Sequence, residues 1–460
     1  MRSELNRIIG LLRASKLSWT RYLASAPAVA LVLGWSASAQ AGVYNVYTNG
    51  LPGNGAMTKN AYDGYCSLAE AIDSVNAGSP QWNCVDSFPG SGAIIQFWQA
   101  SGKSFSQNHF GITSLTIKKD LVLVGSGAYI DSTSASGLII NSTASVEING
   151  LTLSHTGSSS GRLIFNSGEL AIFNSTLRNG NVSGLSGWKG NGGAIYNTGS
   201  GLISYVGVDV YLQNNTAKRG GAIYNSTGTI AELRGTIIGN TATMAGGGIY
   251  NQSTSNDNNE MPNGRITMNG GSVTLNSAKA GGGVFNRGRF RADGTYITLN
   301  NVSGTGSGES TPAGQSLDGA GGGIASSPGS ASLSAMLNTN GNASISANTA
   351  TGYGGGVYTA GQANLVGVTI SSNQALSGAA VYSAAQGAIF YCEIGSSSAA
   401  ATINSNTLIG TGADRYSILD GLLLDNNPVR QCTIANTTAS GNTSPRCRST
   451  MLREDSSCPQ

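Results

Sequence analysis

A six-residue block recurs through the middle of this 460-residue chain, and it limits the possible folds more than any other feature. It reads Gly192-Gly193-Ala194-Ile195-Tyr196-Asn197, Gly220-Gly221-Ala222-Ile223-Tyr224-Asn225, Gly246-Gly247-Gly248-Ile249-Tyr250-Asn251 and Gly281-Gly282-Gly283-Val284-Phe285-Asn286. Weaker copies follow at Gly321-Gly322-Gly323-Ile324, Gly354-Gly355-Gly356-Val357-Tyr358 and Gly378-Ala379-Ala380-Val381-Tyr382. The Ile/Val positions are 28, 26, 35, 40, 33 and 24 residues apart. A second element, apolar-x-x-Asn, alternates with the block: Leu212 to Asn215, Ile237 to Asn240, Val273 to Asn276, Ile297 to Asn300, Ile345 to Asn348, Ile370 to Asn373 and Ile403 to Asn406. Self-similarity at such a period marks a repeat array, each unit being too small to bury its apolar face alone.

Each unit contains short β-branched runs, such as Ser272-Val273-Thr274-Leu275 and Val368-Thr369-Ile370, separated by Gly, Asn and Ser. Three short strands per unit make one coil of a parallel β-solenoid. The Ile or Val stacks inward on its neighbours, and the adjacent Tyr or Phe faces the other way because strand side chains alternate. The glycine pair provides a turn of unusual φ or a close approach of backbones. Asn tolerates left-handed backbone and bonds neighbouring amides, so Asn225, Asn251 and Asn286 are expected to form a ladder along the coils. Intervals above the minimum mean loops on one face, notably 252–264 and 303–320. Strand-like runs from Leu115 to Ile172 fit more loosely, which places the solenoid at about 91–410. A dozen coils about 4.8 Å apart would make a rod of roughly 60 Å.

The first 41 residues read as a secretory signal. Arg2, Arg7, Arg13, Lys16 and Arg21 precede an apolar run from Leu23 to Trp35, and Ala39 and Ala41 form a small-residue cleavage site. That run is too short for a membrane span, which needs about 20 residues, and no later segment reaches spanning length. The segment holds five positive charges and one negative, so the whole chain's +3 falls to −1 on its removal. Nucleic-acid binding then loses its electrostatic motive. Arg287-Gly288-Arg289-Phe290-Arg291 is expected to be a solvated turn. Six cysteines, Cys66, Cys84, Cys392, Cys432, Cys447 and Cys458, read as disulfides in an exported protein. Cys66 and Cys84 are expected to pair, and the last four leave three connectivities open. A zinc site is rejected for want of ligand spacing.

Cys66-Ser67-Leu68-Ala69-Glu70-Ala71-Ile72-Asp73-Ser74-Val75-Asn76 is the best helix after residue 41. Ser67 and Glu70 make a capping box, and Leu68, Ile72 and Val75 share one stripe. The end coils of a solenoid are open edges, and this helix within residues 42–90 suits a lid over the first coil. The segment resembles the Cys-Ser-Leu-Arg-Glu-Ala-Ile motif of secreted bacterial β-helix proteins, and the Gly-Gly-Ala-Ile blocks resemble the repeats of chlamydial polymorphic outer-membrane proteins. Together the resemblances cover most of residues 60–410. They imply an all-β, single-stranded right-handed parallel β-helix of pectin-lyase-like architecture, exported to the bacterial surface or beyond, with the periplasm as the other destination. Ala69 stands where that motif has arginine, and Ile, Leu or Val replaces the Phe of the chlamydial Phe-x-x-Asn. Chlamydial relatives end in a membrane barrel of at least eight strands. Residues 411–460 are too few for one and are read as a Cys-containing cap or tail.

The resemblance leaves activity open, since β-helices also carry polysaccharide lyases and hydrolases. A hydrolase needs two facing carboxylates and a lyase of this fold a calcium cluster. Asp209, Glu232, Asp257, Glu260, Asp293, Glu309 and Asp318 fall at different phases of the repeat, so no pair is expected to converge, and His109 and His155 stand alone. Tyr196, Tyr224 and Tyr250 read either as a sugar-stacking ladder or as rings packed against neighbouring coils, the second being the commoner arrangement. The expectation is a non-enzymatic binding or structural rod that meets an extracellular glycan or cell-surface component. Its contact surfaces would be the Tyr/Asn ladder (Tyr196, Tyr224, Tyr250, Asn225, Asn251, Asn286) and the two loops, with no catalytic residue, cofactor or metal. A carbohydrate-active enzyme on the same fold, with calcium, is the alternative.

Overall fold

The computed structural model describes residues 42–47, 66–81, 84, 93–98, 109–112, 114–133, 136–156, 160–255, 262–330, 335–384, 392–409, 433–434, 437–440 and 442. The expected signal segment, Cys432, Cys447, Cys458, Asp257 and Glu260 lie outside them.

The repeat folds into a parallel β-helix. A coil consists of Ile195–Asn197, Leu202–Val206, Tyr211–Gln213 and Thr216–Arg219, after which Ile223–Ser226 begins the next. Each segment pairs in parallel with its counterpart one coil on. A coil therefore has four strand segments rather than the expected three, because the chain turns a corner at each apolar-x-x-Asn and starts a short fourth strand. The Tyr-Asn strands form a ten-stranded sheet and the short strands a seven-stranded one. The other two kinds share a 23-stranded sheet, joined where Leu121–Ser132 and Ser145–His155 run on through both.

The register aligns like with like. Ile164, Ile195, Ile223, Ile249, Val284, Ile324, Val357 and Val381 follow one another up the ten-stranded sheet, all fully buried. Each such side chain contributes about 2 kcal/mol by leaving water. The glycine pair has two separate causes, as Gly220 and Gly221 show. Gly220 has φ +62, a left-handed conformation that side chains rarely adopt. At Gly221 a Cβ would lie 2.2 Å from the carbonyl oxygen of Gly247 in the next coil. One glycine makes the turn, and the other lets the coils close.

The expected helix is present as α1 (Leu68–Ala77), with Ser67 as its N-cap and the reciprocal Ser67–Glu70 capping box. Leu68, Ile72 and Val75 are buried. Cys66 is disulfide-bonded to Cys84. Asn76 extends the cap onto the first strand of the ten-stranded sheet. Its amide donates to the Thr116 carbonyl at 2.8 Å and its side-chain oxygen accepts the Lys118 N–H at 2.8 Å. The helix thus satisfies edge groups that would otherwise be open to pairing. Parallel pairing begins with Gly42–Tyr47, ahead of the helix, and continues to Ser440, so the solenoid extends at both ends past 91–410. Cys392 is disulfide-bonded, and no described cysteine is free.

Candidate functional site

Asparagine lines two corners of the coils that begin at Ile195, Ile223, Ile249 and Val284. The expected ladder exists: Asn166, Asn197, Asn225, Asn251 and Asn286 each donate a side-chain amide hydrogen to the next, at 2.8–2.9 Å, and Asn286 ends on Ser326 at 3.1 Å. All five asparagines are fully buried. The expectation that Asn225, Asn251 and Asn286 touch a ligand is corrected here, because their amides bond adjacent coils and no surface remains. A second, longer ladder was not foreseen. Asn215, Asn240, Asn276, Asn300, Asn348, Asn373, Asn406 and Asn442 form it, each amide donating to the next side-chain oxygen at 2.9–3.1 Å. These are the apolar-x-x-Asn asparagines, whose invariant place in the repeat was the available signal.

The tyrosines form a continuous stack. Phe165, Tyr196, Tyr224, Tyr250 and Phe285 lie with ring centroids 5.0–5.4 Å apart and planes within about 20° of parallel. Both faces of Tyr196, Tyr224 and Tyr250 are covered by neighbouring rings, so sugar stacking on those faces is corrected for the same reason. Trp188 closes one end, edge-on to Tyr196 at 5.7 Å and 52% exposed. Beneath it Arg162, 2% exposed, lies 4.9 Å over the Tyr196 ring and donates to the carbonyls of Lys189 and Asn191. Burial lowers its pKa to about 10.

Beside Tyr224 and Tyr250 the two insertions line one cleft. Gln252, Ser253 and Thr254 from one and Glu309 from the other line an open cleft of about 510 Å³, together with Arg219, Tyr224, Tyr250 and Arg287. Glu309 is 5% exposed and sits between two guanidinium groups. Its Oε1 accepts Arg219 Nε at 2.5 Å, and its Oε2 accepts Arg287 Nη2 at 2.6 Å and the Tyr250 hydroxyl at 3.1 Å. Arg287 donates also to the Pro328 and Ser310 carbonyls. Only 8% exposed, it is no solvated turn, which corrects that expectation: the carboxylate from the distant insertion draws it inward. Arg291, in the strand Arg289–Asp293 that follows, does face water and pairs with Asp293 at 2.6 Å.

Burial opposes the charges of Arg219 and Arg287, but the Glu309 charge and hydrogen bonds outweigh it and raise both above the ordinary arginine value. Burial, with the Glu309 charge adding to it, pushes the Tyr224 and Tyr250 hydroxyls well above the ordinary tyrosine value. Both remain protonated donors. Two cations on one carboxylate leave the cluster with a surplus positive charge. The sequence could not show this, since Glu309 lies 90 residues from Arg219.

One repeat of the array matches a known family pattern. Residues 209–226 match the Chlamydia polymorphic membrane protein (Chlamydia_PMP) repeat, a family of surface-associated proteins. The match runs from the Leu212–Asn215 corner through the glycine pair to Asn225 and includes Arg219 and Tyr224. No curated protein and no solved structure matches the chain. Among the described residues no three His, Cys, Asp or Glu side chains gather as a metal cluster, and no helix is long and apolar enough to cross a membrane.

Proposed function

We propose that this chain is an exported β-helical rod, displayed at or beyond the bacterial surface, that binds an extracellular glycan without cleaving it. The observation that carries the reading is the cleft. The 303–320 insertion folds back beside the aromatic stack and is held there by a buried ion-pair cluster through Glu309, facing Gln252, Ser253 and Thr254 across the cleft. The basic, apolar and small-residue order of residues 2–41 supports export, and the surface-protein repeat at 209–226 supports the location. Both oxygens of Glu309 are engaged by Arg219, Arg287 and Tyr250, which favours retention of a ligand over acid–base chemistry on it.

The exported chain should be applied to immobilised neutral and acidic polysaccharides, with calcium or with chelator, while retention and chain scission are both recorded. Retention with no new chain ends is the expected result. Scission, above all calcium-dependent scission, would replace the binding rod with a carbohydrate-active enzyme.

A further inference from the structure

We infer that the Arg219–Tyr224 side of the cleft is a binding subsite for the carboxylate groups of an acidic polysaccharide. This rests on the glycan-binding reading and specifies the ligand. Arg287 and Arg219 share Glu309 but differ in what they have left. Arg287 spends Nε, Nη1 and Nη2 on Glu309, Tyr250 and two backbone carbonyls, and its side chain is 10% exposed. Arg219 spends Nε alone, on Glu309 Oε1. Its two Nη groups have no hydrogen-bond partner among the described residues, and its side chain is 27% exposed in the cleft wall. A planar pair of unspent donors on a surplus positive charge matches a carboxylate edge-on, and the partial burial that weakens screening strengthens the contact.

Tyr224 stands beside this fork. Its ring is fixed between Tyr196 and Tyr250 at 5.2 and 5.1 Å, so the hydroxyl has one position. That hydroxyl makes no hydrogen bond among the described residues and lines the same cleft. It stays protonated and can donate beside the guanidinium.

The surface next to the cleft continues the pattern. Lys218 precedes Arg219 in its strand, and its stem runs against Gly190, where a Cβ would meet Lys218 Cδ at 3.0 Å. That places the stem of a second cation against Gly190, two residues after the half-exposed Trp188. The Phe165, Tyr196 and Tyr224 stack leads from there to the cleft in steps of 5.2–5.4 Å. A chain bearing anions at intervals meets the Arg219 fork in the cleft and, of the aromatic rings, only the exposed Trp188 indole at the far end of the stack. Neutral glycan would leave the Arg219 fork unused.

The test uses the full exported chain on immobilised polygalacturonate, dextran sulfate and neutral dextran, with Arg219→Gln, Tyr224→Phe and Arg291→Gln variants. Arg291→Gln makes the same charge change on an exposed side chain already paired with Asp293. Polygalacturonate should retain the wild type, and Arg219→Gln should weaken retention about tenfold or more. Tyr224→Phe, which keeps the ring stack, should weaken it less, and Arg291→Gln should leave it unchanged. Equal losses in Arg219→Gln and Arg291→Gln would mean diffuse charge attraction and overturn the subsite. So would unchanged retention in both cleft variants, or retention by dextran sulfate alone, which would assign the cleft to sulfate. Binding to neutral dextran unaffected by Arg219→Gln would overturn the subsite and leave the glycan-binding rod standing. Retention on none of the three polymers would overturn both.

Discussion

Asn240 gives both of its hydrogen-bonding nitrogens to Asn276. The backbone N–H and the side-chain amide of Asn240 each reach Asn276 Oδ1 at 2.9 Å, one coil away. Asn276 in turn donates to the Ile237 carbonyl at 3.0 Å and to Asn300 Oδ1 at 3.0 Å. Every ladder asparagine therefore serves its own corner and both neighbours.

Asn276→Ala should consequently cost about 3 kcal/mol or more. It strands the buried N–H of Asn240, leaves the Asn240 amide with the Leu212 carbonyl alone, and takes a donor from the Ile237 carbonyl; each unsatisfied buried group costs about 1–3 kcal/mol. In a solenoid each repeat contacts only its neighbours, so the damage should be local. Hydrogen exchange should accelerate in the coils bearing Asn240, Asn276 and Asn300 before those near Asn406. Uniform acceleration along the chain would contradict the ladder account.

In this ladder the residue before each asparagine from Asn215 to Asn406 carries the strain of the corner. Asn214, Gly239, Leu275, Leu299, Ala347, Ser372 and Ser405 all have φ between 53° and 65°. Asn and Gly tolerate that conformation, but leucine does not, and Leu275 is 55% exposed and gains little by burial. Leu275→Asn should stabilise the protein by about 1 kcal/mol and raise its melting temperature. A lower melting temperature would show that Leu275 packs usefully where the structure leaves it in solvent.

The sequence makes some of this architecture legible and hides the rest for a physical reason. Ile223, Gly220 and Gly221 recur at fixed phase, and repeated identity is what parallel in-register stacking requires, so the coils could be read directly. The Ser67–Glu70 cap was legible because both partners lie within one helical turn. The fourth strand was not, because segments such as Thr349–Ala350 are two residues long and carry no periodicity. The Arg219–Glu309–Arg287 cluster was invisible because it joins two arginines of the coils to a glutamate from an insertion, and insertion lengths differ from coil to coil. The tyrosines were legible as a column, but only their ring spacing shows that the column closes on itself.

Glu309 anchors its insertion, and its removal should release it. Glu309→Ala leaves Arg287 buried beside Tyr250 with its main partner gone, a loss on the order of 3 kcal/mol for a buried pair. The cost falls on the middle of the 303–320 segment, where the backbone of Glu309, Thr311, Gly314 and Leu317 bonds within the insertion, while Ser303, Gly319 and Ala320 at its ends bond the neighbouring coils. Limited proteolysis should cut this segment in the variant while the coils on either side stay intact. Cleavage spread through the coils would mean that Glu309 holds the solenoid itself together.

The same segment has an acid-sensitive fastening at its base. Asp318 Oδ2 accepts the Gly306 N–H at 3.0 Å and its Oδ1 the Ser307 N–H at 2.7 Å. Burial works to raise its pKa, but hydrogen bonds from Ser307, Gly306 and Ser316 outweigh it and hold the carboxyl at about 2, below the ordinary 3.8. Because the folded value is depressed, the charged form contributes stability that is complete above 3.8 and is lost as pH falls toward 2. Pepsin, active throughout that window, should cut within 303–320 increasingly as the pH is lowered from about 5 to about 2. Asp318→Asn should be cut readily at the upper end already, with little further change on acidification. An equal pH dependence in Asp318→Asn and wild type would place the sensitive group elsewhere.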